Sequence, residues 1–294
     1  MKRSLRLLGS YFFLGFLFAQ EIEPLSTPEP LVQDATLEIK SSRRWTLTAG
    51  YEVGFSDYTE DGNILPIESS WSGWNSKVTL KVETQVWEIF PYTRLRIMNS
   101  QEAVEEWTRR GNIFQNNDMK IAGGDLSLGF ETRPIDLPFA TLSPQIGLMA
   151  RYLNFERRNF VFIDGADAFF GQAETVTEFV QTYGAGGGFS LDMPLSTTWE
   201  FSITTEVYGL FFSNADNDAF DASIEAERGL FWDATFSVSR SLGKPIYRVG
   251  ARINTHYQWI EGGRIGSDFE QGITEWPESR LRTIGMELFW QGVF

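Results

Sequence analysis

From Trp45 onward the chain alternates. Trp45, Leu47, Ala49, Tyr51, Val53 and Phe55 are apolar, while Thr46, Thr48, Gly50, Glu52, Gly54 and Ser56 between them are polar or small. A side-chain period of two predicts a β-strand with one apolar and one polar face. The period returns over 78–86, 93–97, 122–130, 142–152, 179–191, 199–207, 230–238, 249–259 and 284–290, which makes ten predicted strands. The connections alternate too. Long polar segments (57–74, 99–117, 155–175, 213–223, 260–279) take turns with short ones carrying Pro or Gly: EIFP at 88–91, RPIDLP at 133–138, DMPLS at 192–196 and SLGKP at 241–245.

An even number of antiparallel strands with short turns at one end and long loops at the other predicts an all-β fold, a ten-stranded antiparallel transmembrane barrel of the outer membrane. The long loops then face outside. Aromatic positions agree, because Trp45, Trp199, Trp290 and Phe294 fall at the short-turn end of the apolar face and Phe55, Trp232, Tyr257 and Trp259 at the long-loop end. Two girdles of this kind mark the two membrane–water interfaces. The closing MELFWQGVF carries Phe294 in phase with Trp290, Leu288 and Met286. It resembles the C-terminal signal of outer-membrane barrels, and so implies the barrel assembly machinery as a partner. The opposite face carries Lys77, Lys81, Glu83, Arg94, Arg96, Glu200, Glu206, Asp233, Arg248, Arg252, Asn254, His256 and Glu287. Ten strands enclose little more than their own side chains, so these charges are expected to pair across the lumen and leave no wide pore.

The N-terminus changes the picture of where the chain goes. Lys2, Arg3 and Arg6 precede an apolar run from Leu7 to Phe18 and then Ala19, which predicts a signal peptide over 1–19. The run is shorter than the roughly 20 apolar residues of a membrane-spanning helix. Residues 20–42 are acidic and contain Pro without a sustained period, so they are read as a flexible periplasmic lead-in before a barrel over 43–294. Removing three basic residues takes the formal charge from −14 to −14 − 3 = −17, which argues against nucleic acid as a partner. Cysteine is absent, which removes disulfides and thiol chemistry. No metal site is expected: Asp216, Asp218 and Asp221 fail the calcium-loop pattern at Phe220 and lack its Gly. The glycines of 184–188 sit in an alternating strand with no following Lys, so they are read as making room for bulky lumen neighbours rather than as a phosphate loop.

IGLMARYLNFERRNF at 146–160 and SNADNDAF at 213–220 resemble the omptins, outer-membrane endopeptidases of Gram-negative bacteria. The resemblance implies the whole barrel as architecture. It also implies a water-activating site in which an Asp-His pair of the fourth outer loop faces two acids of the second loop, as general-base chemistry requires. Asp216 and Asp218 match the acidic positions of the fourth loop, Asp216 falling on an acid that helps select a basic substrate side chain, and Phe220 stands where the family has His. In QEAVEEWTRR at 101–110, aligning Trp107 puts Glu106 on one acid, Val104 on the other and Glu105 between them. Neighbours on an extended segment point to opposite sides, so Glu105 and Glu106 copy an alternate pair poorly. His256, the sole histidine, is the substitute base if there is one, with Glu225 and Glu227 as candidate neighbours. The family's lipopolysaccharide requirement points to Tyr152, Arg157 and Arg158 as lipid contacts, with no other cofactor. Two function classes follow: a surface binding or structural protein with an extracellular ligand the sequence does not name, and a divergent endopeptidase using Asp218.

Overall fold

The computed structural model describes residues 44–62, 66–163, 174–218, 222–226, 228–243, 247–263 and 277–294. The expected signal peptide at 1–19, the lead-in at 20–42, and Phe220, Asp221 and Glu227 lie outside the described residues. Ten antiparallel strands form the barrel: β1 (Trp45–Asp61), β2 (Ile67–Thr84), β3 (Phe90–Ser100, continuing as Ala103–Arg109), β4 (Asn112–Glu131), β5 (Thr141–Phe162), β6 (Thr175–Pro194), β7 (Trp199–Asn217), β8 (Ala222–Ala226, continuing as Gly229–Ser241), β9 (Tyr247–Ile260) and β10 (Glu278–Val293). Sequence neighbours pair throughout, and β1 pairs β10 from Thr46↔Val293 to Asp61↔Glu278, which closes the ring. At the foot of this seam Trp45 and Phe294 exchange backbone hydrogen bonds of 3.0 and 2.8 Å.

The outer wall carries an apolar belt. Tyr51, Val53, Val78, Leu80, Ile97, Leu128, Ile146 and Leu288 are all exposed, more contiguous apolar surface than water tolerates on a monomer, as a lipid-facing wall requires. Trp45, Trp199 and Phe294 rim it below and Phe55 and Trp232 above. Beyond Phe55 the outward positions of β1 become Asp57, Thr59 and Asp61, and beyond Trp74 those of β2 become Ser72, Ser70 and Glu68. The strands do not stop at the rim. β5 runs for 22 residues and β6 for 20, about twice the 9–11 needed to cross hydrocarbon. Much of what reads in sequence as long polar loop (57–74, 99–117, 155–162, 213–217) is therefore strand. Backbone pairing and inward alternation persist there while the outward face turns from lipid to water.

Register shifts occur at Trp107/Thr108 against β4 and at Asn116/Asp118 against β5, and two other irregularities decide which way the site residues face. In β3, Asn75↔Ser100 is followed by Trp71↔Glu105, so Gln101 and Glu102 take up an extra residue. In β7 the register shifts between Tyr183↔Phe212 and Gly184↔Leu210, with Phe211 the residue in excess. A bulge of one residue exchanges the two faces of the strand beyond it.

Inward side chains fill the lumen in layers that each strand repeats in order. On β1 the order upward is Glu52, Tyr58, Glu60; on β5 it is Arg151, Leu153 and Phe155, Arg157; on β4 it is Asp125, Ile121 and Met119, Asn117. A charged layer at belt level thus lies under an apolar layer, and a second polar layer sits above both. At the seam the charged layer is keyed into backbone: Glu287 lies across Gly50, where a Cβ would meet its Oε1 at 1.6 Å, and Glu52 lies across Gly285, where a Cβ would meet its Oε1 at 2.4 Å. Asn254 Nδ2 bridges the two carboxylates at 2.6 and 2.7 Å.

Candidate functional site

The upper polar layer stands above the belt, since the outward residues at its height include Glu106, Asp118, Glu156 and Asp216. Its centre is Arg157, delivered by the inward alternation of β5. The guanidinium binds three carboxylates from three strands: Glu105 of β3 through Nε and Nη2 at 2.8 and 3.2 Å, Glu60 of β1 through Nη2 at 3.1 Å, and Glu178 of β6 through Nη1 at 3.1 Å. Its faces lie 5.7 Å from the Trp107 ring and 5.9 Å from the Phe155 ring. Tyr58 donates its hydroxyl to Glu60 and Asn117 donates to Glu105 at 2.8 Å. Exposure of the four charged side chains is 5% or less, so bulk water screens none of these pairs.

One cation among three anions leaves a net charge of 1 − 3 = −2 when all are ionised. Burial pushes the Glu178 carboxyl up to about 8, with Arg157 pulling the other way. Burial also raises Glu60, again against Arg157, and drives the Tyr58 phenol well above its ordinary range. Glu178 Oε1 and Gln115 Oε1 are buried without a hydrogen-bond partner.

The expected catalytic residues separate. Glu105 is in the lumen, committed to Arg157 and Asn117, whereas Glu106 is on the outer wall. Asp216 and Asp218 are exposed and also face outward, because the bulge at Phe211 has exchanged the faces of β7. Asp216 accepts from Asn214 at 3.2 Å and Asp218 from the Thr177 backbone N–H at 2.7 Å. His256 is buried in the charged layer, Nδ1 3.1 Å from Asp233 Oδ1 and Nε2 3.7 Å from Glu52 Oε2. The apolar layer lies between it and the upper residues, and Glu225 is exposed on the outside. The set brings together no general base, acid and open water position.

The expected lipid contacts also divide. Tyr152 is outward and stacks on Phe179 with centroids 5.8 Å apart, and Arg158 is outward but paired with Glu156. Arg157 is enclosed at 1% exposure, so a lipid headgroup does not reach it. Position parity could have revealed this: Tyr152 belongs to the lipid face, so Leu153, Phe155 and Arg157 belong to the lumen. Glu60 and Glu178 were missed because both fell in or beside segments read as loop or irregular strand end.

Below, the charged layer is well paired. Arg96 bonds Asp125 at 2.8 Å and also Asp233; Arg94 bonds Glu206; Lys77 bonds Glu52 at 2.9 Å; Arg252 lies 3.6 Å from Glu287. This is the cross-lumen pairing expected of a narrow barrel.

No protein-family model and no curated protein matches the chain. Among solved structures it is similar to the outer membrane protease OmpT from Escherichia coli, with TM-score 0.59 and 8% identity over 88% of this chain and 99% of that one. A major outer membrane protein from Thermus thermophilus follows at TM-score 0.37 and 11% identity, over 86% and 100% of the two chains. The Pseudomonas putida toluene transporter TodX is at TM-score 0.34 and 9% identity, over 85% and 89%. Identity this low transfers architecture and leaves the residues of a site to be argued from this chain alone. The likeness to the first of these, with the closed ring and its apolar belt, gives the fold: a ten-stranded outer-membrane β-barrel.

Proposed function

We propose that the chain is an integral outer-membrane protein built on an omptin-like scaffold, exported by its N-terminal signal, that serves as a surface binding or structural protein and lacks omptin peptidase activity. The observation that carries this reading is the dispersal of the matched residues. Glu105 is held by Arg157, Glu106, Asp216 and Asp218 are on the outer wall, and His256 is in the layer beneath the apolar one. Water activation needs its base and its carboxylates within hydrogen-bond reach of one another. The filled lumen supports a closed scaffold rather than a diffusion channel, so planar-bilayer recordings are expected to give no large stable conductance. Outer-leaflet lipid around Tyr152 and Arg158, and the assembly machinery at the strand ending in Phe294, are the partners this reading expects.

The test is to refold residues 20–294, add lipopolysaccharide and follow a quenched fluorescent peptide containing Arg-Arg. No turnover above background is expected. Cleavage by the parent that Asp218→Asn or His256→Ala abolishes would overturn the reading in favour of a divergent endopeptidase.

A further inference from the structure

We propose that the Arg157 layer is a proton-held latch on the outer mouth of the barrel: a proton shared by Glu60 and Glu178 keeps the walls above the membrane clamped on the guanidinium, and its loss loosens them. The groups that face Arg157 are Tyr58 and Glu60 from β1, Glu105 from β3 and Glu178 from β6, while β4 and β7 contribute the neutral Gln115, Asn117 and Asn217. One cation therefore answers to three acids. No other cation bonds to Glu60, Glu105 or Glu178 among the described residues.

Two surplus negative charges in a site this enclosed are costlier than holding a proton, because a buried acid neutralises rather than stay ionised without a partner. The orphaned oxygens fit. Glu178 Oε1 and Gln115 Oε1 are both buried without a partner in this layer, so a carboxyl oxygen able to carry the proton and an amide oxygen able to accept from it are both unused. Arg157 ties β5 across the lumen to Glu60 of β1 and Glu105 of β3, and to Glu178 of its ladder partner β6, at a height where no lipid belt supports the wall from outside. Ionising the surplus acid sets like charges against one another around that tie, and separating the strands to admit water relieves it.

The direction follows from Glu178 holding its proton more tightly in the closed state, at about 8, than it would in an open, hydrated one. Closure is strongest below the ordinary carboxylate range, weakens as pH rises and levels off above that value. For one proton the opening constant should rise about tenfold per pH unit between roughly pH 5 and 8.

The measurement is backbone hydrogen exchange in residues 104–118, 155–158 and 176–178 of the full mature barrel in lipid vesicles, taken as the ratio of parent to Glu178→Gln at each pH. The ratio cancels the intrinsic pH dependence of exchange. It should climb about tenfold per unit and plateau near pH 8, and Glu60→Gln in place of Glu178→Gln should give the same climb. A ratio that stays flat, or that falls with pH, overturns the latch. If neither variant folds, the parent alone decides by infrared spectroscopy. A protonated carboxyl band present at neutral pH and lost in alkali supports the proposal, and its absence at neutral pH overturns it.

Discussion

The belt-level layer and the layer around Arg157 are both buried and both charged, yet they are composed differently. Around His256, Lys77, Arg94, Arg96, Arg151 and Arg252 face Glu52, Asp125, Glu206, Asp233 and Glu287, five against five, while nearer the periplasmic end Lys81 pairs with Glu83 and Glu131 and Arg248 with Glu200. Above, Arg157 faces three acids. A balanced network at hydrocarbon depth leaves no net charge where water is farthest away, and removing any one member is what creates one. The upper layer is just as enclosed but stands beyond the lipid belt, where parting strands meet water rather than hydrocarbon, so it can keep an odd proton and release it on opening. Position relative to the membrane decides which composition is tolerable.

That contrast can be broken at its strongest point first. Arg96→Met strips Asp125 and Asp233 of their shared guanidinium, and urea unfolding in vesicles near neutral pH should show a loss of about 3–5 kcal/mol. A loss under about 1 kcal/mol would mean that water already reaches the belt-level layer. Phe155→Ala removes part of the apolar layer that separates the two and should cost about 3 kcal/mol by the same measurement. Arg157→Met tests the upper layer. Its cost should be about 2 kcal/mol near pH 8 and smaller near pH 5, where protons taken up by the stranded carboxyls offset part of the lost tie. Equal cost at both values would erase the distinction between the layers. Asp216→Asn and Asp218→Asn, on the outer wall, should change stability by no more than about 0.5 kcal/mol. A larger loss would make that wall an organised site.

How legible each layer is in the sequence depends on the same geography. Beside the belt, outward residues must be apolar, so every polar residue in an alternating run identifies itself as inward. Arg94, Arg96, Glu206, Asp233, His256 and Glu287 are all placed correctly by that rule. Above the belt the outward face is polar while the inward face is first apolar and then polar, so the rule loses its sign. Glu60 and Glu178 then read as the fringe of loops, and Arg157 as a lipid contact. A single bulged residue, Phe211, sends Asp216 and Asp218 to the outside, whereas unbroken alternation from Glu206 and Tyr208 would have put them in the lumen. No composition signal marks that bulge. The ten strands and the closed ring survive such local errors because each rests on many positions.

The glutamates lying across Gly50 and Gly285 settle a matter that alternation leaves open. A strand that slips by two residues keeps its apolar face toward lipid and its polar face inward, so the belt cannot tell the native alignment of β1 with β10 from its neighbours. Glu287 and Glu52 can tell them apart. Each fits over the opposite backbone only where a side chain is missing. Displaced by two, the Glu287 side chain would lie over Thr48 or Glu52 instead of Gly50, and in either direction a Cβ occupies the space its carboxylate needs. The two glycine recesses act as a key cut into the seam: they let the ring close in one alignment and reject the alignments that hydrophobicity alone would accept.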